Sequence, residues 1–271
     1  MRITFDSHLL GKVLFPERRK KDPDYACLQE IGVGLQDGRL QGFICESIGT
    51  LEDIRPNARP EYFANRIPKS DVQTIAAGNH TCVNITIEIN HDRHPGLNGR
   101  LVDKLQRAQT LGMRLLHIPA VNIQRPKQFL SNHAFYESRL FETQSYADRF
   151  WEVATAIEGR GVGAAVITTI LKELQDQLPV STTGSRQGMQ LLQYAKNEAE
   201  RTRISKAIGE WADGDLVASH IASGNDLLCT EDRGKSAGGP SVFDDVNRPW
   251  LKGTYNVHIV SLRELAAQIP N

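Results

Sequence analysis

The sequence has no excess of charge of either sign and no long apolar segment. Its 271 residues contain 32 Lys plus Arg and 32 Asp plus Glu, so the formal net charge is zero. A nucleic-acid partner would therefore need a local group of cations, because phosphate binding depends on nearby positive charge. The best candidate for a membrane segment, GVGAAVITTIL (161–171), is too short to cross a bilayer. We expect no membrane partner.

Cysteine is scarce, and its spacing excludes some classes of site. The four cysteines show no CxxC pair, which argues against a structural zinc site. Cys45 and Cys229 lie in apolar runs and are expected to be buried thiols, so we expect a reducing, cytoplasmic location. The opening segment MRITFDSHLL has an acid at position 6 and no long apolar stretch. We therefore expect no signal peptide.

Short apolar runs predict the strands of a mostly parallel sheet. RITF (2–5), QGFIC (41–45), DLLCT (226–230) and NVHIVS (256–261) have the length and composition of strands. Segments with helical spacing separate them, including one that Gly38 is expected to end. Alternating strands and helices predict an α/β fold.

The middle of the chain has a different pattern. TCVNITIEI (81–89) and MRLLHIPAV (113–121) predict two strands, and residues 98–112 between them predict a helix that Gly112 stops. We therefore predict that residues 55–189 form an inserted region with a small α/β unit of its own.

Acidic residues follow three of the predicted strands. Asp6 follows the first, Glu46 the second, and Glu231 and Asp232 the third. Asp213 precedes the segment LVASHIA and is expected at the start of a short helix. Because ligands bind at the carboxyl ends of parallel strands, we expect these acids to meet at one edge of the sheet.

Carboxylates that meet in this way repel one another. At about 4 Å and an effective dielectric of about 20, each pair costs on the order of 4 kcal/mol. Such a cluster is stable when it is protonated or holds a cation, and oxygen ligands select Mg²⁺ or Mn²⁺. A metal held there can bind a phosphodiester oxygen and activate water. The alternative is structural: Asp213 caps a helix and Asp232 begins a turn.

The segment DGDLVASHIASGNDLLCTED (213–232) resembles the last motif of the PIN domain family of metal-dependent ribonucleases. It has an acid, a helix with small residues, an apolar strand, and Thr230 before the final acids. RITFDSHLL resembles the family's opening strand, where Ser7 fits and His8 departs from the usual asparagine. GFICESIGTLEDI resembles the middle motif, with Cys45 in place of the usual serine.

The resemblance covers about residues 1–54 and 190–271. It implies one PIN-like domain built from both ends of the chain, a three-layer α/β sandwich with a mostly parallel sheet. It also implies a metal-dependent endoribonuclease that uses Mg²⁺ or Mn²⁺ and takes RNA as its substrate. A toxin of a toxin–antitoxin pair and an RNA-processing enzyme both fit, so an antitoxin, another protein partner or a homodimer stays open.

Matched residue by residue, the resemblance implies three metal-site acids: Asp6, Asp213 and Asp232. The fourth acid is open between Glu46, at the strand end, and Glu52 or Asp53, in the following helix. The strand-end position slightly favours Glu46.

Two basic residues follow the last acid. Arg233 and Lys235 are expected to contact RNA phosphates beside the metal site. The alternative function is a catalytically weak PIN-like module that docks a protein or nucleic-acid partner, which the departures at His8 and Cys45 keep open. Metal-dependent turnover would separate the two functions.

Overall fold

The computed structural model describes most of the chain, namely residues 1–65, 69–77, 80–88, 95–120, 125–130, 132–137, 144–178, 188–235 and 239–270. The strands are β1 (Arg2–Phe5), β2 (Gln41–Cys45), β3 (Lys69–Ala77), β4 (His80–Glu88), β5 (Arg114–Leu116), β6 (Leu227–Cys229) and β7 (Ile259–Val260). The α-helices are Leu10–Val13, Tyr25–Gln36, Arg59–Ala64, Gly99–Thr110, Lys127–Leu130, Gln144–Glu158, Ala164–Asp176, Glu198–Ala222, Asn247–Tyr255 and Leu262–Ala266. Short helical turns lie at Ser7–Leu9, Pro16–Arg19, Ile48–Glu52, Pro56–Ala58, His133–Phe135 and Gly188–Tyr194.

Five strands form one parallel sheet in the order β5-β2-β1-β6-β7, and β3 pairs with β4 in a separate antiparallel hairpin. From β1 the chain adds β2 and β5 on one side, then crosses to add β6 and β7 on the other. The direction of the strand order therefore changes between β1 and β6. In sheets of this kind the crevice at the carboxyl ends of those strands is the usual place for a ligand.

Helices cover both faces of the sheet because side chains alternate along each strand. Phe5 and Cys229 pack with helices Tyr25–Gln36 and Gly99–Thr110 on one face. Leu228 packs on the other face, with helix Gln144–Glu158 and the second half of helix Glu198–Ala222. The predicted α/β class is confirmed, with three layers.

The strand predicted at 113–121 is observed as β5, and it lies in the main sheet beside β2. The predicted insertion therefore does not stand wholly apart: its hairpin β3–β4 is separate, but β5 is an edge strand of the central sheet. β5 ends at Leu116 because Ile118 N donates to the side chain of Glu46 instead of to a strand, and Pro119 has no N–H.

Helix Glu198–Ala222, called the long helix below, corrects the prediction for Asp213. Asp213 lies inside this helix and not at the start of a short one. The helix begins where Asn197 accepts a hydrogen bond from Glu200 N, and it passes through Gly214 without a break. Gly214 is needed because a Cβ there would lie 3.0 Å from Gly163 Cα. Glycine has a low helix propensity, so at this position tertiary packing outweighs local preference.

Several smaller predictions are also settled. Cys45 and Cys229 are buried, as predicted. Gly38 and Gly112 follow the helices they were expected to end, and both have positive φ. Within the described ranges, every helix is too short or too polar to span a membrane.

Candidate active site

The crevice between β1 and β6 contains two of the predicted acids, joined by a threonine. Thr230 Oγ1 donates to Asp6 Oδ2 at 2.6 Å and accepts from the backbone N–H of Asp232 at 3.0 Å. The backbone N–H of Asp6 continues the sheet by donating to Cys229 O at 3.0 Å. Asp6 and Asp232 are therefore held at neighbouring strand ends, as the strand pattern predicted.

His8 lies over this pair. Its Nδ1 is 3.0 Å from Asp6 Oδ1, and about half of its side chain is exposed. Burial lowers the pKa of His8, but the hydrogen bond to Asp6 and the charges of Asp6, Asp232 and Glu52 together raise it by more, so the net shift is upward. The imidazolium form therefore offsets part of the negative charge of the crevice.

Glu52 approaches the same crevice from the π-helical turn Ile48–Glu52 that follows β2. Ser7 Oγ donates to Glu52 Oε2, and Ser47 Oγ donates to Oε1 at 3.3 Å. Burial raises the pKa of Glu52, and the charge of Asp6 raises it further. Glu52 is therefore bonded to the residue that follows Asp6 and lies within reach of its charge.

Asp213 adds a carboxyl group from the long helix. Burial raises its pKa well above the ordinary value, and the charges of Asp6, Glu210, Glu52 and Asp232 raise it further. These side chains therefore act on one another electrostatically, although they come from four separate parts of the chain.

Glu210 is a member of this group that the sequence analysis missed. It is buried, and its Oε1 accepts from the backbone N–H of Val242 at 2.6 Å. Burial raises its pKa. Its position three residues before Asp213 puts both on one helix face, and this i, i+3 spacing is the signal that could have found it.

Glu46 has a different environment from the one expected at a strand end. Arg125 donates to both carboxylate oxygens at 3.0 and 2.7 Å, Tyr136 Oη donates at 2.8 Å, and Ile118 N donates at 2.6 Å. Burial would raise the pKa of Glu46, but hydrogen bonds from His117 and Arg125 lower it to about 2. Glu46 thus forms a buried ion pair with Arg125, which joins β2 to the segment after β5.

Asp53, the remaining alternative for the middle acid, bonds elsewhere. Its carboxylate accepts from the backbone and side-chain nitrogens of Asn98, the residue that caps helix Gly99–Thr110. Of the three acids left open by the sequence, Glu52 is the one that accepts a hydrogen bond from Ser7, next to Asp6.

The residues expected to contact substrate lie at the surface. Arg233 and Lys235 are exposed, next to a turn in which Gly234 N donates to Asp232 Oδ1 at 2.7 Å. Glu231 turns away and accepts from Leu262 N at 3.0 Å.

A cleft of about 470 Å³ opens beside Asp213 and Asp232. One wall is the first half of the long helix, and the other includes Pro56 and Arg59. The guanidinium of Arg59 donates to the carbonyl oxygens of Glu52 and Ser205 at 3.0 and 2.8 Å. Its charge also acts on Glu52 and Asp213.

The donor chemistry of this site suits a hard cation, since every acidic ligand offers oxygen. Within the described part of the chain, however, no three His, Cys, Asp or Glu side chains form a group that could hold a metal directly. Mg²⁺ commonly keeps several waters and binds through one or two carboxylates plus substrate phosphate. A water-bridged ion of that kind fits these residues.

Comparison with known proteins gives no further assignment. No protein-family model matches the chain, and neither the curated proteins nor the solved structures give a match.

Proposed function

We propose that this chain is a metal-dependent endoribonuclease with a PIN-like fold, hydrolysing RNA phosphodiester bonds in the cleft beside Asp213. The observation that carries the proposal is the convergence of acids from two neighbouring strand ends, a π-helical turn and the long helix at the crevice where the strand order changes direction. This is the position that general rules for parallel sheets assign to a ligand.

Four acids would surround the ion, one or two of them bound directly and the others through water: Asp6, Glu52, Asp213 and Asp232. Glu52 replaces Glu46 in this set, because the guanidinium of Arg125 already neutralises the carboxylate of Glu46. When bound, Mg²⁺ or Mn²⁺ would supply water activation and stabilise negative charge on the phosphate. Thr230 keeps Asp6 oriented, and Ser7 does the same for Glu52.

The test is cleavage of labelled RNA by the purified chain with Mn²⁺, with EDTA, and in the variant Asp213→Asn. We expect cleavage with Mn²⁺, none with EDTA, and a loss of at least about 100-fold in the variant, the size typical for removal of a group that stabilises transition-state charge. Asp103→Asn, an exposed acid on helix Gly99–Thr110, is the matched control and should cleave at the normal rate. Full activity of Asp213→Asn would exclude this site.

One observation favours a second candidate, a PIN-like binding module without strong catalysis. It is the absence, among the described residues, of three acids gathered at direct metal-binding distance. The contact between His8 Nδ1 and Asp6 Oδ1 agrees with it, since it occupies one of the oxygens that an ion would need. RNA or protein binding with no metal-dependent turnover would identify this function instead.

A further inference from the structure

The cleft beside Asp213 extends along the first half of the long helix. Its lining on that side includes Arg201, Ser205, Lys206 and Gly209. Each of these positions lies three or four residues from another of them, the spacing that keeps residues along one side of a helix. The cleft is therefore a track that leads away from the acidic crevice.

Two cations on this track have no partner within the part of the chain that the structure describes. Lys206 is exposed and Arg201 is half-buried, and neither side chain forms a hydrogen bond or an ion pair there. Arg203 on the same helix differs, because its guanidinium pairs with Glu173 at 2.9 Å. Lys206 and Arg201 are thus available to an anion that enters the cleft.

The spacing of these cations suits a linear polyanion. At 1.5 Å per helical residue, Lys206 lies about 11 Å and Arg201 about 18 Å along the axis from Asp213. A single small anion cannot contact both cations and also reach the acids. A chain of phosphates can do so.

The depth of the crevice selects a single strand. Asp6 is only 4% exposed, so a phosphate carried on a broad, rigid surface cannot come close to it. A duplex carries its phosphates on a rigid cylinder and cannot enter a cleft of about 470 Å³ bounded by the long helix and Pro56. None of the described residues that line the cleft is aromatic, so we expect contacts to the RNA backbone to dominate over base stacking.

We propose that this track binds the phosphates of single-stranded RNA on one side of the cleaved bond, through Lys206 and Arg201 and without sequence preference. The location of the cleaved bond rests on the proposed nuclease function, whereas the binding of the strand can be tested without cleavage.

The test is the salt dependence of binding to a fluorescein-labelled single-stranded RNA of mixed sequence, about 12 nucleotides long, measured in EDTA. For single strands, each phosphate contact contributes about 0.7 to the slope of log Kd against log salt concentration. We expect Lys206→Gln and Arg201→Gln each to lower this slope by about 0.7. Arg203→Gln, with the same charge change on the same helix, should keep the normal slope, and Lys206→Arg should also keep it.

Three results would overturn the proposal: normal slopes in Lys206→Gln and Arg201→Gln, an equal loss in Arg203→Gln, or equally tight binding of a duplex of the same sequence. The outcome is independent of the nuclease assignment. Cleavage by the wild type with normal slopes in both variants would contradict the proposed RNA-binding track and support the nuclease assignment. Lowered slopes in both variants without any metal-dependent cleavage would support the track and contradict the nuclease assignment.

Discussion

Thr230 joins two acids that lie at the ends of neighbouring strands. Its hydroxyl donates to Asp6 Oδ2 at 2.6 Å while accepting from the backbone N–H of Asp232 at 3.0 Å. Because Thr230 is only 2% exposed, water cannot replace these bonds. The orientation of Asp6 therefore depends on one hydroxyl group.

Replacing Thr230 by valine should destabilise the protein and reduce any Mn²⁺-dependent cleavage. The change leaves a carboxylate oxygen and a backbone N–H without partners, which costs about 1–3 kcal/mol. Urea unfolding measures this loss. Thr230→Ser retains the hydroxyl and is the matched control. Equal stability of the two variants would show that the hydrogen bonds of Thr230 contribute little.

Glu52→Gln should weaken Mn²⁺ binding more than Glu46→Gln does, by at least about tenfold in Kd, or about 1.4 kcal/mol. Calorimetric titration of both variants measures the difference. Glu46→Gln should instead lower stability by about 3 kcal/mol, because it leaves Arg125 as an uncompensated buried cation. The double variant Glu46→Gln/Arg125→Gln should recover part of that loss. Weaker Mn²⁺ binding in Glu46→Gln than in Glu52→Gln would show that Glu46, at the strand end, is the metal ligand.

Asp213→Asn should stabilise the metal-free protein at neutral pH. The pKa of Asp213 is higher in the folded state than in the unfolded chain, so the folded state binds the proton more tightly and ionisation destabilises it. The wild type therefore loses stability as the pH rises from about 4 through the raised pKa. We expect the variant to melt at least about 2 °C higher at pH 7, the shift that about 1 kcal/mol gives in a chain of this size.

The gain in Asp213→Asn should disappear below about pH 4, where the wild-type carboxyl is protonated in both states. Melting curves of both proteins in EDTA across this pH range measure the difference. Mn²⁺ should stabilise the wild type and leave Asp213→Asn nearly unchanged. A pH-independent difference between the two proteins would assign the gain to packing and not to charge.

Two glycines in the long helix should respond to alanine in opposite directions. At Gly214 a Cβ would lie 3.0 Å from the backbone of Gly163, so Gly214→Ala should destabilise by about 1–3 kcal/mol. At Gly209 the nearest atom is the end of the Arg59 side chain at 3.8 Å. Gly209→Ala should therefore stabilise by up to about 1 kcal/mol through helix propensity. Thermal melts of both variants test the pair.

The middle region should divide into a dispensable and an indispensable part. Replacing the hairpin β3–β4 (69–88) by a flexible linker should preserve cooperative unfolding, because this hairpin is a sheet of its own. Removing about 57–185 takes away β5 and helix Gln144–Glu158, which covers one face of the sheet. That protein should show no cooperative thermal transition. Normal folding after the larger deletion would mean that β5 adds little to the core.

Local composition was sufficient for β1, β2 and the two acids at the crevice, whereas β3 was not predicted. β1 and β2 begin and end at the residues predicted, because a short apolar run flanked by polar residues is typical of a buried strand. Asp6 and Asp232 meet because any parallel pairing of their strands brings the carboxyl ends together.

Long-range partners decided the rest of the site. Glu46 and Glu52 are near neighbours in sequence, and no local pattern tells which one meets Asp6. Arg125 and Tyr136 decide it, because they hold Glu46 from positions 79 and 90 residues away in the sequence. Likewise, the contact of Gly214 with Gly163 lets one helix carry Asp213 in its interior. A buried charge or a tight backbone contact gains its energy from whichever group packs against it, and only the folded chain brings that group near.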